Sequence, residues 1–484
     1  MTPPGPPRGR LPDGFAVRMD PRTRRRDGGA TLLGGSPLRQ LRLSPRARDL
    51  LDTERLVVRN ATTAALAGRL LDAGLAVPDL PAASGTSVSI VIPVKDRPDA
   101  LARLLTTLRA DSTTGGLPIV VVDDGSADAE RTAALAEASG ASLLRHETAR
   151  GPAAARNAGL RTATTDAVAF LDSDCVPRPG WLDALLPHLA DPRLALAAPR
   201  IVALPGGRGW LARYEEVAGP LDMGAHPAPV RPRSAVSYVP SAALLARRSA
   251  LGNGFDEGMQ VAEDVDLVWR LTAAGWRVRY EPGATVAHEH RTTAAEWLGR
   301  RAFYGTGAAL LAARHGSAVA PVVMAPSSAV AWALTVAGRR IRPVGPAVLV
   351  WTVARLARRL GRPGEPPPVP LAAGLVLTGS IAAGRALARA ATRHWWPVAL
   401  MAAVLSRRAR GWVVGAAVAD AALAWWPHRQ RMGPVRFGLA RRLDDLAYGS
   451  GLWWGAVRQR QPRALLPARP QPNSSPSGGS PDRL

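Results

Sequence analysis

Cysteine is nearly missing from this 484-residue chain: Cys175 stands alone, so no intramolecular disulfide can form and nothing supports an oxidising compartment. Lysine is as scarce. Lys95 is the single one among 62 basic residues, so the excess over 38 acidic residues, a net charge of +24, is carried by arginine. Such a surface attracts phosphates, anionic lipid and nucleic acid alike and selects none of them. A GC-rich genome produces the same Ala-, Arg-, Gly- and Pro-rich usage. The segment from Met1 to Gly29 lacks the apolar stretch of a secretory signal, which makes a cytoplasmic active site the expectation.

Residues 1–13 are rich in Pro, Gly and Arg and are expected to be disordered, as is the tail 466–484. Between 14 and 80, FAVRMD and LRQLRLS have strand patterning, while SPRARDLLD and TAALAGRLLDAGL have helical spacing with Ser44 placed as an N-cap. Two strands with helices suit a small winged-helix-like module. PAASGT, 81–86, reads as a linker. Beyond it, VSIVIPV, PIVVVDD and DAVAFLD are near-continuous apolar runs, and the first two are each followed by a helical pattern. Strand and helix in alternation predict an α/β domain over 87–312, a mostly parallel sheet flanked by helices.

From 313 to 465 the composition turns helical and apolar, with Gly316–Gly338 and Pro366–Gly384 free of charge for 23 and 19 residues. Both reach spanning length, although Pro and Gly break them, and membrane contact is expected. WWPVALMAAVLS and GWVVGAAVADAALAWW suit half-buried or interfacial helices on the cytoplasmic face of a membrane.

Ligands of a parallel sheet lie beyond the carboxyl ends of its strands, where this chain places Lys95-Asp96, Asp123-Asp124 and Asp172-Ser173-Asp174. Asp172 and Asp174, at i and i+2, put two carboxylates on one face of the chain, which can hold Mg2+ or Mn2+ together with phosphate oxygens. An ordinary acidic strand end has the same pattern. Asp123 and Asp124 precede a Gly-Ser turn and can accept hydrogen bonds from a nucleobase and ribose, or simply cap that turn. In GPAAARNAGL, Gly151 and Arg156-Asn157 open a helix, so amides and a guanidinium can face a diphosphate. Glu263 and Asp264 open the amphipathic helix of EDVDLVWRL. Either can act as a general base, Asp264 first and Glu263 second, and acids at a helix start also satisfy its dipole. VAHEHR sets His288 and His290 on one face of an extended segment before Arg291, to complete a metal site, hold phosphate, or face solvent.

In this order, over roughly 205 residues, VSIVIPVKDRP, VVVDDGS, GPAAARNAGL, VAFLDSDCVP, EDVDLVWRL and VAHEHR closely resemble the successive motifs of family 2 glycosyltransferases. The resemblance implies a GT-A fold and inverting transfer from a UDP- or GDP-sugar. It implies Pro93, Asp96 and Asp124 in the nucleotide pocket, Asp172 and Asp174 as the metal motif, and Asp264 as catalytic base. The QxxRW signature of the family's processive polymerases is missing, and VWRL is no substitute, so long-polymer synthesis is not implied.

A narrower resemblance rests on LLGGSPLRQLRLSPRARDLLD joined to this catalytic region and to an Arg/Trp-rich C-terminal region: the chain is similar to the glycosyltransferases of mycofactocin biosynthesis. That implies transfer of glucose from UDP-glucose, as a short β-1,4-linked chain, to a peptide-derived redox cofactor precursor. The N-terminal module is similar to the winged helices that recognise peptides in peptide-modifying systems. Two other readings compete. One keeps the enzyme class and sends the sugar to a lipid or cell-envelope glycan. The other is an arginine-rich nucleic-acid binder with an inactive core, against which the intact acidic set argues, so no nucleic-acid partner is expected.

Overall fold

A computed structural model describes residues 2–470 except 8, 52–53, 81–84, 291–292, 339, 342 and 362–365. Residues 81–84 of the expected linker, Arg291, and 471–484 of the expected tail lie outside the described residues. The chain forms two compact units, one from the N-terminus to Gly207 together with Ala218–His290, the other from Arg208–Val217 together with the helices beyond His290. The helix Ala294–His315 thus belongs to the second unit, and the division falls after His290 rather than at 312.

The first unit is built on a nine-stranded sheet whose central strands are the apolar runs of the sequence. Val88–Val94 is flanked in parallel by Ile119–Asp123 and Ala167–Leu171, with Ser142–Arg145 continuing beyond Ile119–Asp123. Such strands are buried on both faces by helices, which is why Val, Ile and Ala fill them almost without alternation. On the other side the order is Ala243–Arg247, Leu194–Ala203, Arg277–His288 and Cys175–Pro177. Ala243–Arg247 runs antiparallel to both its neighbours, so the sheet is mixed where a mostly parallel one was expected. An apolar run reports burial and carries no signal of direction.

The N-terminal module carries two three-stranded antiparallel sheets rather than two strands: Arg55–Val57, Ala16–Met19 and Ala76–Pro78 in one, Arg24–Arg26, Thr31–Gly34 and Arg39–Arg42 in the other. Its helices Pro45–Leu50 and Ala61–Ala73 complete a winged-helix-like unit around Phe15, Leu32, Leu51, Leu66 and Leu70. Ser44 caps the first helix, its side chain accepting from Ala47 N–H at 3.1 Å. Asp72 on the second helix joins module to sheet: Arg277 donates to it at 2.8 and 3.0 Å, and Arg193 at 3.2 Å. The described residues of the proline-rich arm before residue 14 pack against the same unit, contrary to the expectation of disorder. Leu11 is buried with the module's core, and the Trp276 indole donates to the Pro4 carbonyl at 2.6 Å. Prolines pre-extend the arm and leave its carbonyls to accept.

In the second unit, Ala294–His315 crosses Pro434–Arg458 through glycines. A Cβ on Gly451 would lie 1.8 Å from the Ala302 carbonyl oxygen, and one on Gly305 2.1 Å from that of Tyr448. The stretch 316–338 is divided between a turn at Gly316–Val319 and a helix Pro326–Val336 of 11 residues, too short to cross a bilayer. Val369–Arg393, 25 residues, is the one described helix long and apolar enough to do so.

Candidate active site

Because Ala167–Leu171, Val88–Val94 and Ile119–Asp123 are parallel neighbours, their carboxyl ends open on one edge of the sheet and bring three acidic loops together. Asp96 takes a left-handed backbone, φ 53°. It ties the first loop to the second by donating its N–H to Ser126 Oγ at 3.0 Å and accepting from Ala127 N–H at 2.8 Å. Asp123 is fully buried, accepts from Ser126 N–H at 2.9 Å and pairs with Arg145. Its place is therefore beneath the loop and not in the cavity that the nucleobase reading required. Asp124 does line the cavity. Its oxygens accept from Arg150 N–H at 2.9 Å and Gly151 N–H at 2.8 Å and meet His146 Nδ1 at 2.7 Å, so it shapes the loop that leads into helix Pro152–Thr162.

The cavity, about 360 Å3, is bounded by Pro93, Lys95, Asp124, Arg150, Gly151 and Gln260. Lys95 was placed at this edge beside Asp96 from the sequence, whereas Arg150 and Gln260 were not singled out. Arg150 lies beside a motif that was, and Gln260 has no local signature. Gly151, at φ 95°, lets the loop approach Gln260, since a Cβ there would sit 3.0 Å from its Oε1.

Arg156 is placed differently from the expectation that it faces a diphosphate. Only 3% exposed, it donates to Asp172 Oδ1 at 2.6 Å and to Glu263 Oε1 at 3.0 Å, with its guanidinium over the Phe255 ring. Burial works against its charge, but the two carboxylates outweigh that and keep it protonated. Arg156 is thus a brace between the DxD loop and the helix of the candidate base. Asn157 closes the loop that follows, bonding the Phe255 backbone through both side-chain ends at 2.8 and 2.9 Å.

Asp264 stands in the first turn of Glu263–Ala273, after Ala262 in a left-handed conformation, φ 62°. Its carboxylate accepts from Val265 N–H at 2.8 Å and Ser241 N–H at 3.2 Å. Burial, and next the negative Glu263 beside it, push its pKa up to about 7 against the pull of those donors and Arg156. Glu263 is committed to Arg156, which leaves Asp264 as the acid poised to exchange a proton near neutral pH.

Strand Cys175–Pro177 pairs antiparallel with the end of Arg277–His288, Cys175 opposite His288, and so sets the histidine beside the DxD loop. Asp174 lies 3.3 Å from His288 Nε2 and accepts from Arg97 at 2.7 Å. Burial would raise Asp174, yet the His288 hydrogen bond and the charges of His288 and Arg97 hold it well below the usual carboxylate range; Asp174 in turn raises His288. The His288 and His290 rings are 6.4 Å apart. Among the described residues no three side chains of metal-ligand type form a cluster. Asp172, paired with Arg156, and the Asp174–His288 pair instead offer an open set of carboxylates and imidazole. That suits a hard cation that completes its shell with phosphate oxygens and water.

Residues 89–252 match the model of glycosyl transferase family 2. The pre-mycofactocin glycosyltransferase of Mycobacterium tuberculosis is 48% identical over 469 residues, 95% of this chain and 98% of that one. The chain belongs to this family of glycosyltransferases. A second relative, the succinoglycan biosynthesis protein ExoU of Rhizobium meliloti, is 30% identical over 212 residues, 41% of this transferase and 60% of its own length. Among solved structures, the mannosyltransferase PcManGT of Pyrobaculum calidifontis, in complex with GDP-Man and Mn2+, is 19% identical over 72% of the transferase and 91% of its own chain, with a TM-score of 0.37. The family model covers the loops of Asp96, Asp124 and Asp172–Asp174 and ends before Glu263. The 48% likeness continues through both flanking regions of the transferase.

Proposed function

We propose that this transferase moves glucose from UDP-glucose onto a peptide-derived precursor in mycofactocin biosynthesis, inverting the anomeric centre to give a β-linkage. The near full-length likeness to the M. tuberculosis pre-mycofactocin glycosyltransferase supports the acceptor class, because it includes the N-terminal module as well as the catalytic domain. The mechanism rests on one observation: a half-buried carboxylate, Asp264, held near pKa 7 by burial and Glu263 and fixed by two backbone donors. As the acceptor hydroxyl attacks the anomeric carbon, Asp264 takes its proton. The bond to the diphosphate breaks on the opposite face, and the electron pair leaves with UDP.

The cavity bounded by Pro93, Asp124 and Gly151 is of the size for the nucleoside, and the helix that starts at Pro152 turns its positive end toward it. Asp172, Asp174 and His288 are the residues that would hold Mg2+ or Mn2+, which when bound neutralises charge on the departing diphosphate. Arg156 keeps the Asp172 loop and the Asp264 helix in register.

The test is mass spectrometry of products from the full chain with UDP-glucose, UDP-galactose, UDP-N-acetylglucosamine and GDP-mannose, each offered with the peptide-derived precursor and separately with membrane extract. One or more hexose increments on the precursor, from UDP-glucose alone, are the expected result. Hexose added to a lipid or glycan with the precursor untouched overturns the acceptor assignment.

A further inference from the structure

Strand Arg277–His288 ends at the candidate active site and begins at a different cluster of charge. Arg279 precedes His288 by nine positions, about 30 Å of extended chain, so this cluster stands apart from the edge where His288 meets Asp174. Arg277 and Arg279, at i and i+2, share one face of the strand. Ala228–Pro229 runs antiparallel beside them with Pro229 opposite Arg279, and the Val230 N–H donates to the Val278 carbonyl at 2.9 Å, which carries Arg231 up to Arg277. Three guanidiniums thus crowd one face of the sheet, an arrangement that repels itself unless counter-charge is supplied.

Two aspartates supply part of it, and Arg277 takes both. Asp72 accepts from Arg277 at 2.8 and 3.0 Å and Asp191 at 2.9 Å. Arg279 is left 3.7 Å from Asp191 and Arg231 4.0 Å from Asp72, both beyond hydrogen-bond reach. Glu281, next on the same face, is taken by His188 at 3.4 Å, while Arg193 adds a further cation at Asp72. Arg39, on an outer strand of the N-terminal module, brings another. Its charge lowers the pKa of Arg231, and Ser36 Oγ, three residues before it, accepts from Ala235 N–H at 2.6 Å, so the turn beside Arg39 rests on the loop of Arg231. Among the described residues the guanidiniums of Arg39, Arg231 and Arg279 have no hydrogen-bond acceptor. Arg279 is 4% exposed, and its Nε is sealed from water without a partner. Burial drops its pKa to about 10, with Arg277 and Arg231 adding to the fall against the pull of Asp191. A buried guanidinium without an acceptor is unfavourable, and an oxyanion is the group that its fixed fork of N–H donors accommodates.

We propose that Arg39, Arg231 and Arg279 form a binding site for an oxyanion, a phosphate or carboxylate group, at the seam between the N-terminal module and the transferase sheet. The mouth lies at Arg231 and Asp72, whose side chains are 28% and 32% exposed, and the floor is Arg279. Asp72 and Asp191 are already neutralised by Arg277 and Arg193, so the seat stays positive. The ligand presents at least two acceptor oxygens, because its donors come from three separate segments: strand Arg39–Arg42, the loop after Pro229, and strand Arg277–His288. Binding ties those segments together across the seam, a bond that a halide, with a single centre, does not reproduce.

The full chain in chloride buffer is titrated with inorganic phosphate and, separately, with citrate, and binding is read as the rise in thermal midpoint that a ligand of the folded state produces. A rise with one or both, absent with chloride at equal ionic strength, is the expected result. Response to phosphate alone assigns the site to a phosphoryl group, and response to citrate alone to a carboxylate. R231Q, at the partly exposed mouth, should weaken that binding about 10- to 100-fold and leave UDP affinity unchanged, which separates this site from the nucleotide cavity. R279M tests the floor. Because Arg279 lacks an acceptor in the free protein, the variant should match or exceed wild-type stability in chloride and lose the response to the oxyanion. Three outcomes overturn the proposal: no rise in wild type, a wild-type response in R231Q, or R279M destabilised equally in chloride and in the oxyanion. The second would place the binding elsewhere, and the last would make Arg279 a structural partner of Asp191.

Discussion

Asp264→Asn exchanges a carboxylate for an amide of the same shape at the start of helix Glu263–Ala273. The amide oxygen can keep the Val265 N–H at 2.8 Å, but the amide nitrogen then faces the Ser241 N–H at 3.2 Å, donor against donor, at a cost of about 1–3 kcal/mol. A second effect opposes it. With its pKa raised from 3.8 to about 7, folded Asp264 keeps a proton that the unfolded chain has lost, so its contribution to stability falls as pH rises through that window and stays low above it. Removing the ionised carboxylate returns stability at pH 8, and the two effects should leave the variant within about 2 kcal/mol of wild type by urea unfolding. Turnover should not be spared. Loss of a positioned base costs about 10²- to 10⁴-fold in kcat, with the affinity for UDP unchanged. In wild type, log kcat should rise with pH at unit slope to an inflection near 7 and then level, and the variant should lack that limb. Wild-type turnover in Asp264→Asn, or an inflection near the ordinary carboxylate value, refutes the assignment.

Glu263→Gln keeps an acceptor for Arg156 while removing the like charge beside Asp264, so the acidic limb of the kcat profile should shift to lower pH. Asp72→Asn leaves the buried Arg277 with one fewer counter-charge between module and sheet, a loss of about 2–4 kcal/mol measurable as a lowered urea midpoint. Gly451→Ala would press a Cβ into the Ala302 carbonyl, so thermal unfolding of the C-terminal helices should fall by several degrees while UDP affinity is retained.

Much of the site is local in sequence. A Val/Ile run of seven residues makes a buried strand wherever it stands, and acids just past its end fall at the ligand-binding edge of a parallel sheet. Asp96, Asp124, Asp172 and Asp174 could therefore be placed from their own neighbourhoods. Helix starts were legible for the same reason: Ser44 satisfies an N–H three residues on, and Glu263-Asp264 occupy a first turn. Gln260 was not legible, because its place in the cavity depends on where a distant glycine loop comes to rest.

The sequence by itself determined the three central parallel strands of the catalytic core, the acidic edge of its sheet and the family of the enzyme, because these follow from short-range patterning and ordered motifs. Tertiary structure alone decided which charges meet. His288 reaches Asp174 because two strands far apart in the chain pair in one register, and Arg156 turns from a presumed phosphate ligand into a brace because Asp172 and Glu263 enclose it. It also decided that Asp420, Asp444 and Asp445 of the C-terminal helices face inward while leucines and valines such as Leu400, Val404 and Leu405 face outward, since hydropathy along a helix reports how much is apolar and not what covers it.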